Sequence, residues 1–294
     1  MNENPDMPDH LIYDEISGLP TSVKEILHHD VWLYEHITSA MVKPIDMPVK
    51  FSATACIFVR KGSCKTEIDL NSYRISGPAL VIIEAGHIMK PDMVSDDFEG
   101  AFLVLSKKFV SKFIRVIEDP ELISFMSSNP VISIPPHLTL DFELLLKNMR
   151  RNLDDTDNRY SFQTLFFTIM AFFFQTAMKC LMPLRQSASR SNHITTRFMR
   201  LAQESFHRER FLAYYARELQ ITPKHLSRTV KADTGVSASE WLDRLIVLEA
   251  KVLLRSSSLN IQQIADRLNF PSQSFFGKYF KKNVGRSPKE YRNT

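Results

Sequence analysis

Ala216-Arg-Glu-Leu219 followed by Thr222-Pro-Lys-His-Leu-Ser-Arg-Thr-Val-Lys231 reads as a short helix, a turn and a second helix. About fifty positions later the pattern returns as Ala265-Asp-Arg-Leu268 followed by Ser272-Gln-Ser-Phe-Phe-Gly-Lys-Tyr-Phe-Lys281. The parallel continues beyond these helices, where Thr234-Gly-Val-Ser-Ala-Ser-Glu-Trp241 matches Val284-Gly-Arg-Ser-Pro-Lys-Glu-Tyr291 position for position. One small helical unit therefore occurs twice, which implies one task performed twice.

The two faces of each second helix separate by spacing. Thr222 is placed to cap the first copy, and Pro223 sits at the first helical position, where a missing N–H is harmless. Leu226 and Val230, four apart, face inward. Lys224, Ser227, Arg228 and Lys231 then form the outward stripe at i, i+3, i+4 and i+7. In the second copy Ser272 is the expected cap, Phe276 and Phe280 are the inward pair, and Ser274, Gly277, Lys278 and Lys281 are the stripe. Both stripes are cationic or small, and neither contains an acidic residue. Such a helix suits the DNA major groove, where Arg and Lys donate to guanine and Ser or Gln bonds base edges or phosphate. One surface helix with this stripe would be ordinary, but two in register point to a shared function. A connecting helix of about 18 residues would span roughly 27 Å, enough to set two recognition helices in successive major grooves about 34 Å apart.

Charge supports that reading. The formal charge of +4 divides into −6 over residues 1–189 and +10 over residues 190–294. A positive excess on the part holding the repeats favours a polyanionic partner over a merely solvated surface. The cysteines, Cys56, Cys64 and Cys180, provide neither a disulfide framework nor a CxxC metal pair and fit a reducing compartment. The polar, acidic start is not a secretory signal. Tyr160 to Met178 is the one membrane candidate, but its apolar centre, Leu165 to Phe174, is too short to span hydrocarbon and is expected to be buried. The protein is expected to be cytoplasmic.

The fold class expected is α+β. Residues 1–20 read as a loosely ordered tail. Residues 21–135 read as a β domain, a barrel or sandwich with strands at Phe51–Val59, Thr66–Ile75, Ala79–Ile83 and Ala101–Leu105 and a half-helical interlude at Lys107–Met126. Residues 136–184 read as a helical pair split by the polar loop Leu153–Asn158, with Leu140, Leu144, Leu145 and Met149 on one face; a homodimer through this pair is expected, with packing on its own barrel as the alternative. Residues 185–192 are small and polar and read as a linker. Residues 193–294 read as wholly helical, with Phe198 and Leu201 inward.

Residues 193–294 resemble the DNA-binding domain of the AraC/XylS family of bacterial transcription regulators. The resemblance rests on Ala216, Leu219, Leu226, Gly235, Ser237, Glu240-Trp241, Glu249-Ala250, Leu253-Leu254, Ile264-Ala265, Leu268, Phe270, Ser274, Phe276, Phe280-Lys281-Lys282, Gly285, Ser287-Pro288 and Tyr291-Arg292. It implies two helix-turn-helix units joined by one helix, with base contacts from Lys224, His225, Ser227 and Arg228 in the first copy. In the second it implies contacts from Gln273, Ser274, Gly277 and Lys278, with Lys281 and Lys282 against phosphate. It implies double-stranded promoter DNA and RNA polymerase as partners, and more often activation than repression.

Three positions depart from the pattern. Asn269 stands where glycine usually makes the turn, His225 where an aromatic is common, and Gly277 where a small hydroxyl residue is usual. The second copy is therefore expected to clamp more than it reads. Residues 1–192 resemble the family's cupin-like sensor region loosely, which implies a small-molecule effector there. The histidines of metal-binding cupins are missing after Gly62, His28 and His29 are adjacent and point to different sides, and His87 reads as a loop residue. No catalytic residue, cofactor or metal is expected. The competing readings are a DNA-binding domain fused to a cupin enzyme and a basic protein that coats nucleic acid without sequence preference.

Overall fold

The computed structural model describes residues 27–28, 30–42, 48–155, 157–187 and 193–293. The expected tail, and residues 188–192 of the expected linker, lie outside the described residues, as does His29. The chain divides into two compact units near residue 188.

The first unit is built on two antiparallel sheets. Strands β1 (Leu27–His28), β2 (Val31–Thr38), β4 (Thr54–Lys61), β7 (Ala79–Ile83), β9 (Glu99–Leu105) and β10 (Val131–Ser133) form a six-stranded sheet in the order β1-β2-β9-β4-β7-β10. Strands β3 (Val49–Lys50), β5 (Ser63–Ile68), β6 (Asn71–Ser76) and β8 (Ile88–Val94) form a second in the order β3-β8-β5-β6.

The six-stranded sheet is apolar on both faces because it is the middle layer. Trp32, Tyr34, Ala55, Val59, Phe102 and Val104 pack towards Ile68 and Ile75 of the smaller sheet. The alternate residues Val31, Leu33, Phe58, Ala101, Leu103 and Leu105 pack towards helices, as the two-residue period of a strand requires. Those helices are α1 (Lys107–Ile117), α2 (Pro120–Ser128), α3 (Thr139–Asp154) and α4 (Ser161–Phe172), which continues through a π turn at Phe173–Ala177 into α5 (Met178–Ser187). Ser106 and Asp119 cap α1 and α2 by accepting from the N–H of Phe109 and Leu122. Arg60 on β4 ties the sheet to α3, donating from Nε and Nη2 to the two carboxylate oxygens of Glu143 at 2.7 and 3.0 Å. Its Nη1 also donates to the Gly100 carbonyl at 3.0 Å.

Several expectations need correction. The run Thr66–Ile75 is not one strand but the hairpin β5–β6, reversed at Asp69, whose φ is 54°. Strand β8 went unrecognised because Pro91 interrupts it; a register shift between Lys65 and Thr66, which pair with Met93 and Pro91, accommodates the proline. Leu140 and Leu144 are not on the buried face of α3: they are 66% and 49% exposed, while Phe142, Leu145, Leu146, Met149 and Leu153 are buried. The apolar segment is also longer than its ten-residue centre. Ser161–Pro183 is long and apolar enough to cross a membrane, with a mean hydropathy of 1.6. Leu165, Phe166, Ile169, Met170, Phe173 and Leu181 of this segment instead belong to the core beneath the sheet. Helix α5 reaches Ser187, three residues into the expected linker. His87 closes the turn between β7 and β8, its Nδ1 2.7 Å from Asp69 Oδ2.

The second unit is all helix: α6 (His193–Ser205), α7 (Leu212–Glu218), α8 (Pro223–Thr234), α9 (Ala238–Ser256), α10 (Ile261–Arg267), α11 (Gln273–Val284) and α12 (Pro288–Arg292). The 19-residue α9 extends about 28 Å at 1.5 Å per residue. It contacts α8 as well as α10, α11 and α12. Phe198 stacks edge-on against Tyr215 and Trp241 on one side. Phe276 and Phe280 pack with Phe270 and Tyr291 on the other. Leu201 is half-buried rather than fully inward.

Candidate nucleic-acid interface

The two copies repeat each other down to single hydrogen bonds. Leu219 and Leu268 cap the C-termini of α7 and α10, and the next residue of each, Gln220 or Asn269, is left-handed with φ 57° or 55°. The N–H of Ile221 then donates to the Ala216 carbonyl at 2.9 Å, and that of Phe270 to the Ala265 carbonyl at 2.8 Å. These bonds satisfy helix-end carbonyls and set the angle at which the following helix leaves. Asn269 adds a tether, its Nδ2 donating to the Arg208 carbonyl at 2.6 Å.

Each following helix starts with a hydroxyl cap. Thr222 Oγ1 accepts from the His225 N–H at 3.2 Å, and Ser272 Oγ from the Phe275 N–H at 3.3 Å. Each ends on a left-handed glycine, Gly235 (φ 81°) or Gly285 (φ 84°), whose N–H donates to the carbonyl of Lys231 or Lys281. Leu226, Val230, Phe276 and Phe280 are fully buried, so the inward face of both helices is settled.

That phase places the opposite stripe in solvent. Lys224, His225, Arg228 and Lys231 of α8 are exposed and Ser227 is half-buried; Gln273, Ser274, Lys278, Lys281 and Lys282 of α11 are exposed and Gly277 half-buried. Among the described residues, the side chains of Lys224, Arg228, Lys231, Lys278 and Lys282 form no hydrogen bond or salt bridge, so their N–H donors face water. The carboxylates on these elements are committed elsewhere. Asp233 of α8 accepts from the Thr195 hydroxyl of α6. Asp243 of α9 accepts from the Tyr279 hydroxyl at 2.8 Å. Burial and the adjacent Asp243 carboxylate both raise the Tyr279 pKa, so its phenol stays protonated and fastens α11 to α9.

Gly277 leaves an open notch in the second stripe, since a Cβ built there would meet no atom within 4 Å. Beside the notch stands a residue that spacing did not single out. Phe275 occupies the place of His225 in the other copy and is 63% exposed, although its neighbour Phe276 is fully buried. The buried pair Phe276 and Phe280 fixes the rotation of α11, and one residue earlier lies about 100° away; that was the available signal. An exposed aromatic ring beside basic and amide side chains can contact a thymine methyl group.

Known proteins share this part of the chain. The helix-turn-helix domain family matches residues 215–294. Residues 215–294 are an AraC-type helix-turn-helix domain. The transcriptional activator RhaR of Yersinia pseudotuberculosis is 31% identical to this chain over 81 residues, which are 28% of each protein. The AraC-type domain is thus the extent of that likeness, under a third of the relative's length. Among solved structures, the C-terminal domain of the response regulator AraT from Geobacillus stearothermophilus is 34% identical and covers 36% of this chain and 88% of its own, with a TM-score of 0.34. ToxT K231A from Vibrio cholerae covers 90% of this chain and 97% of its own at 16% identity, with a TM-score of 0.44. Helices α7 to α12 of the AraC-type domain contain both cationic stripes.

Proposed function

We propose that the protein is a sequence-specific DNA-binding regulator of transcription, an activator whose AraC-type domain inserts α8 and α11 into successive major grooves of promoter DNA. The observation that carries this reading is the duplication itself: two identically capped helices, each presenting uncommitted cations on the face opposite its buried pair. Lys224, His225, Ser227 and Arg228 read bases from α8. On α11, Gln273, Ser274 and Lys278 contact bases around the Gly277 notch, while Lys281 and Lys282, with Lys231 on α8, hold phosphates.

The first unit works as the sensor and dimerisation module, taking a small-molecule effector and no metal or cofactor. Exposed Leu140 and Leu144 on α3, with Phe167 and Phe174 at 66% and 50% exposure, support a homodimer through residues 136–184. Exposed apolar surface of this kind marks association sites. The reading places the protein in the cytoplasm, working with RNA polymerase and without enzymatic activity.

Fluorescence anisotropy with a bound promoter fragment tests the reading. Arg228→Ala and Lys278→Ala should each weaken specific binding by about 1–3 kcal/mol, and affinity should fall steeply with salt as counterions are released. Wild-type affinity in both variants would overturn the residue assignment. Equal affinity for promoter and random DNA would replace sequence-specific regulation with non-specific coating.

A further inference from the structure

The outer face of the six-stranded sheet and the helices over it enclose a cavity of about 410 Å³. Protein interiors leave few voids larger than a water molecule, and this volume lies in the range of small-molecule sites. The wall is almost wholly apolar. Cys56 and Ile82 come from the sheet, Phe113 from α1, Phe142 from α3, and Phe172 and Phe173 from the junction of α4 with its π turn. Burial pushes the Cys56 thiol up to about 12, so this side chain is neutral. A wall of this kind holds water poorly.

Charge borders the cavity at two residues, Glu84 and Lys107. Glu84 is engaged: its Oε1 accepts from the Ser127 hydroxyl at 2.5 Å, and its Oε2 lies 3.9 Å from His87 Nε2. Lys107, the first residue of α1, forms no hydrogen bond or salt bridge among the described residues. Its neighbour Lys108 turns instead to Asp30, at 3.8 Å. The uncommitted charge at the rim is therefore positive. We infer that this cavity binds an amphipathic small molecule, with its apolar body between sheet and helices and a single anionic group on Lys107.

The inference deepens the effector part of the proposed function and rests on that part alone. Phe172 and Phe173 wall the cavity while the next residue, Phe174, is exposed on the face proposed for dimerisation. Phe173 and Phe174 begin the π turn Phe173–Ala177, a departure from α geometry common at functional sites. An occupant presses on the inner side of the same turn whose outer side would meet a second copy.

The test uses the full chain, stripped of bound lipophiles, with anilinonaphthalene sulfonate fluorescence as the reporter and decanoate and decanol as displacers. The two displacers share an apolar chain and differ in charge. Decanoate should displace the reporter about tenfold better than decanol. Lys107→Gln, at an exposed position, should abolish the preference for decanoate without changing decanol. Ala101→Leu, which fills the cavity from β9, should weaken both; if that variant does not fold by circular dichroism, Lys107→Gln decides alone. No saturable displacement, or a preference that survives Lys107→Gln, would overturn the inference. Anisotropy on the same samples keeps the two readings apart. Lost promoter binding with intact ligand binding counts against the regulator, and the reverse counts against the cavity.

Discussion

Gly277 offers a substitution whose effects on folding and on DNA should have opposite signs. It lies inside α11 with ordinary helical backbone, and a side chain there would meet nothing within 4 Å. Glycine in a helix interior is about 1 kcal/mol less favourable than alanine, and leucine is nearly as good as alanine. Both Gly277→Ala and Gly277→Leu should therefore stabilise the second unit by about 1 kcal/mol, equivalent to roughly 4–8 °C in a unit of this size. On DNA the two should part. The methyl of alanine fits the notch, so anisotropy should show near-wild-type affinity. The larger leucine side chain, free in solvent, would fill the space the bases occupy and weaken specific binding by tenfold or more, at least about 1.4 kcal/mol. A more stable protein that has lost its DNA cannot be explained by misfolding. Wild-type affinity in Gly277→Leu would remove this face of α11 from the interface, and a lowered unfolding midpoint in Gly277→Ala would show that the position is not open.

The two turns should respond oppositely to the same change. Gln220 is left-handed with no hydrogen bond to its side chain in the described residues, so Gln220→Gly should raise the midpoint by relieving about 1 kcal/mol of strain. Asn269→Gly should lower it, because the bond from Nδ2 to the Arg208 carbonyl is lost; equal shifts in thermal denaturation would contradict this account. Arg292 donates from Nε to the Leu254 carbonyl at 3.1 Å and from Nη2 to the Leu259 carbonyl at 2.6 Å, closing the end of α9. Arg292→Met keeps the apolar stem and should destabilise the second unit by about 1.5–3 kcal/mol; an unchanged denaturant midpoint would refute the latch.

Much of the second unit was legible in the chain because its determinants are local. The caps at Thr222 and Ser272, the glycines that end α8 and α11, and the inward pairs at four-residue spacing depend on atoms within a turn or two of one another. The left-handed Asn269 is of the same kind, since it stands where glycine usually makes the turn and its short amide tolerates that backbone. Gln220 in the matching turn was not legible, as glutamine has no such preference and only the repeated geometry holds it there. Phe275 escaped for a related reason: an aromatic beside two buried aromatics looks like core until the helix is set against α9.

By itself the sequence determined that one helix-turn-helix unit occurs twice, which faces of its helices are buried, and that the positive charge lies with them. Tertiary structure alone decided how the layers of the first unit are arranged. An apolar strand residue faces one side or the other of a sheet, and only long-range pairing shows that both sides are covered. A proline in β8 is excluded from a strand until the register shift opposite β5 accommodates it. An amphipathic helix such as α3 announces apolar residues but not which of them find a partner, so Leu145 went inward and Leu144 outward. The cavity is the furthest case. It is made of space between β4, β7, β9 and the helices above them, and space left by packing has no residue of its own to mark it in a sequence.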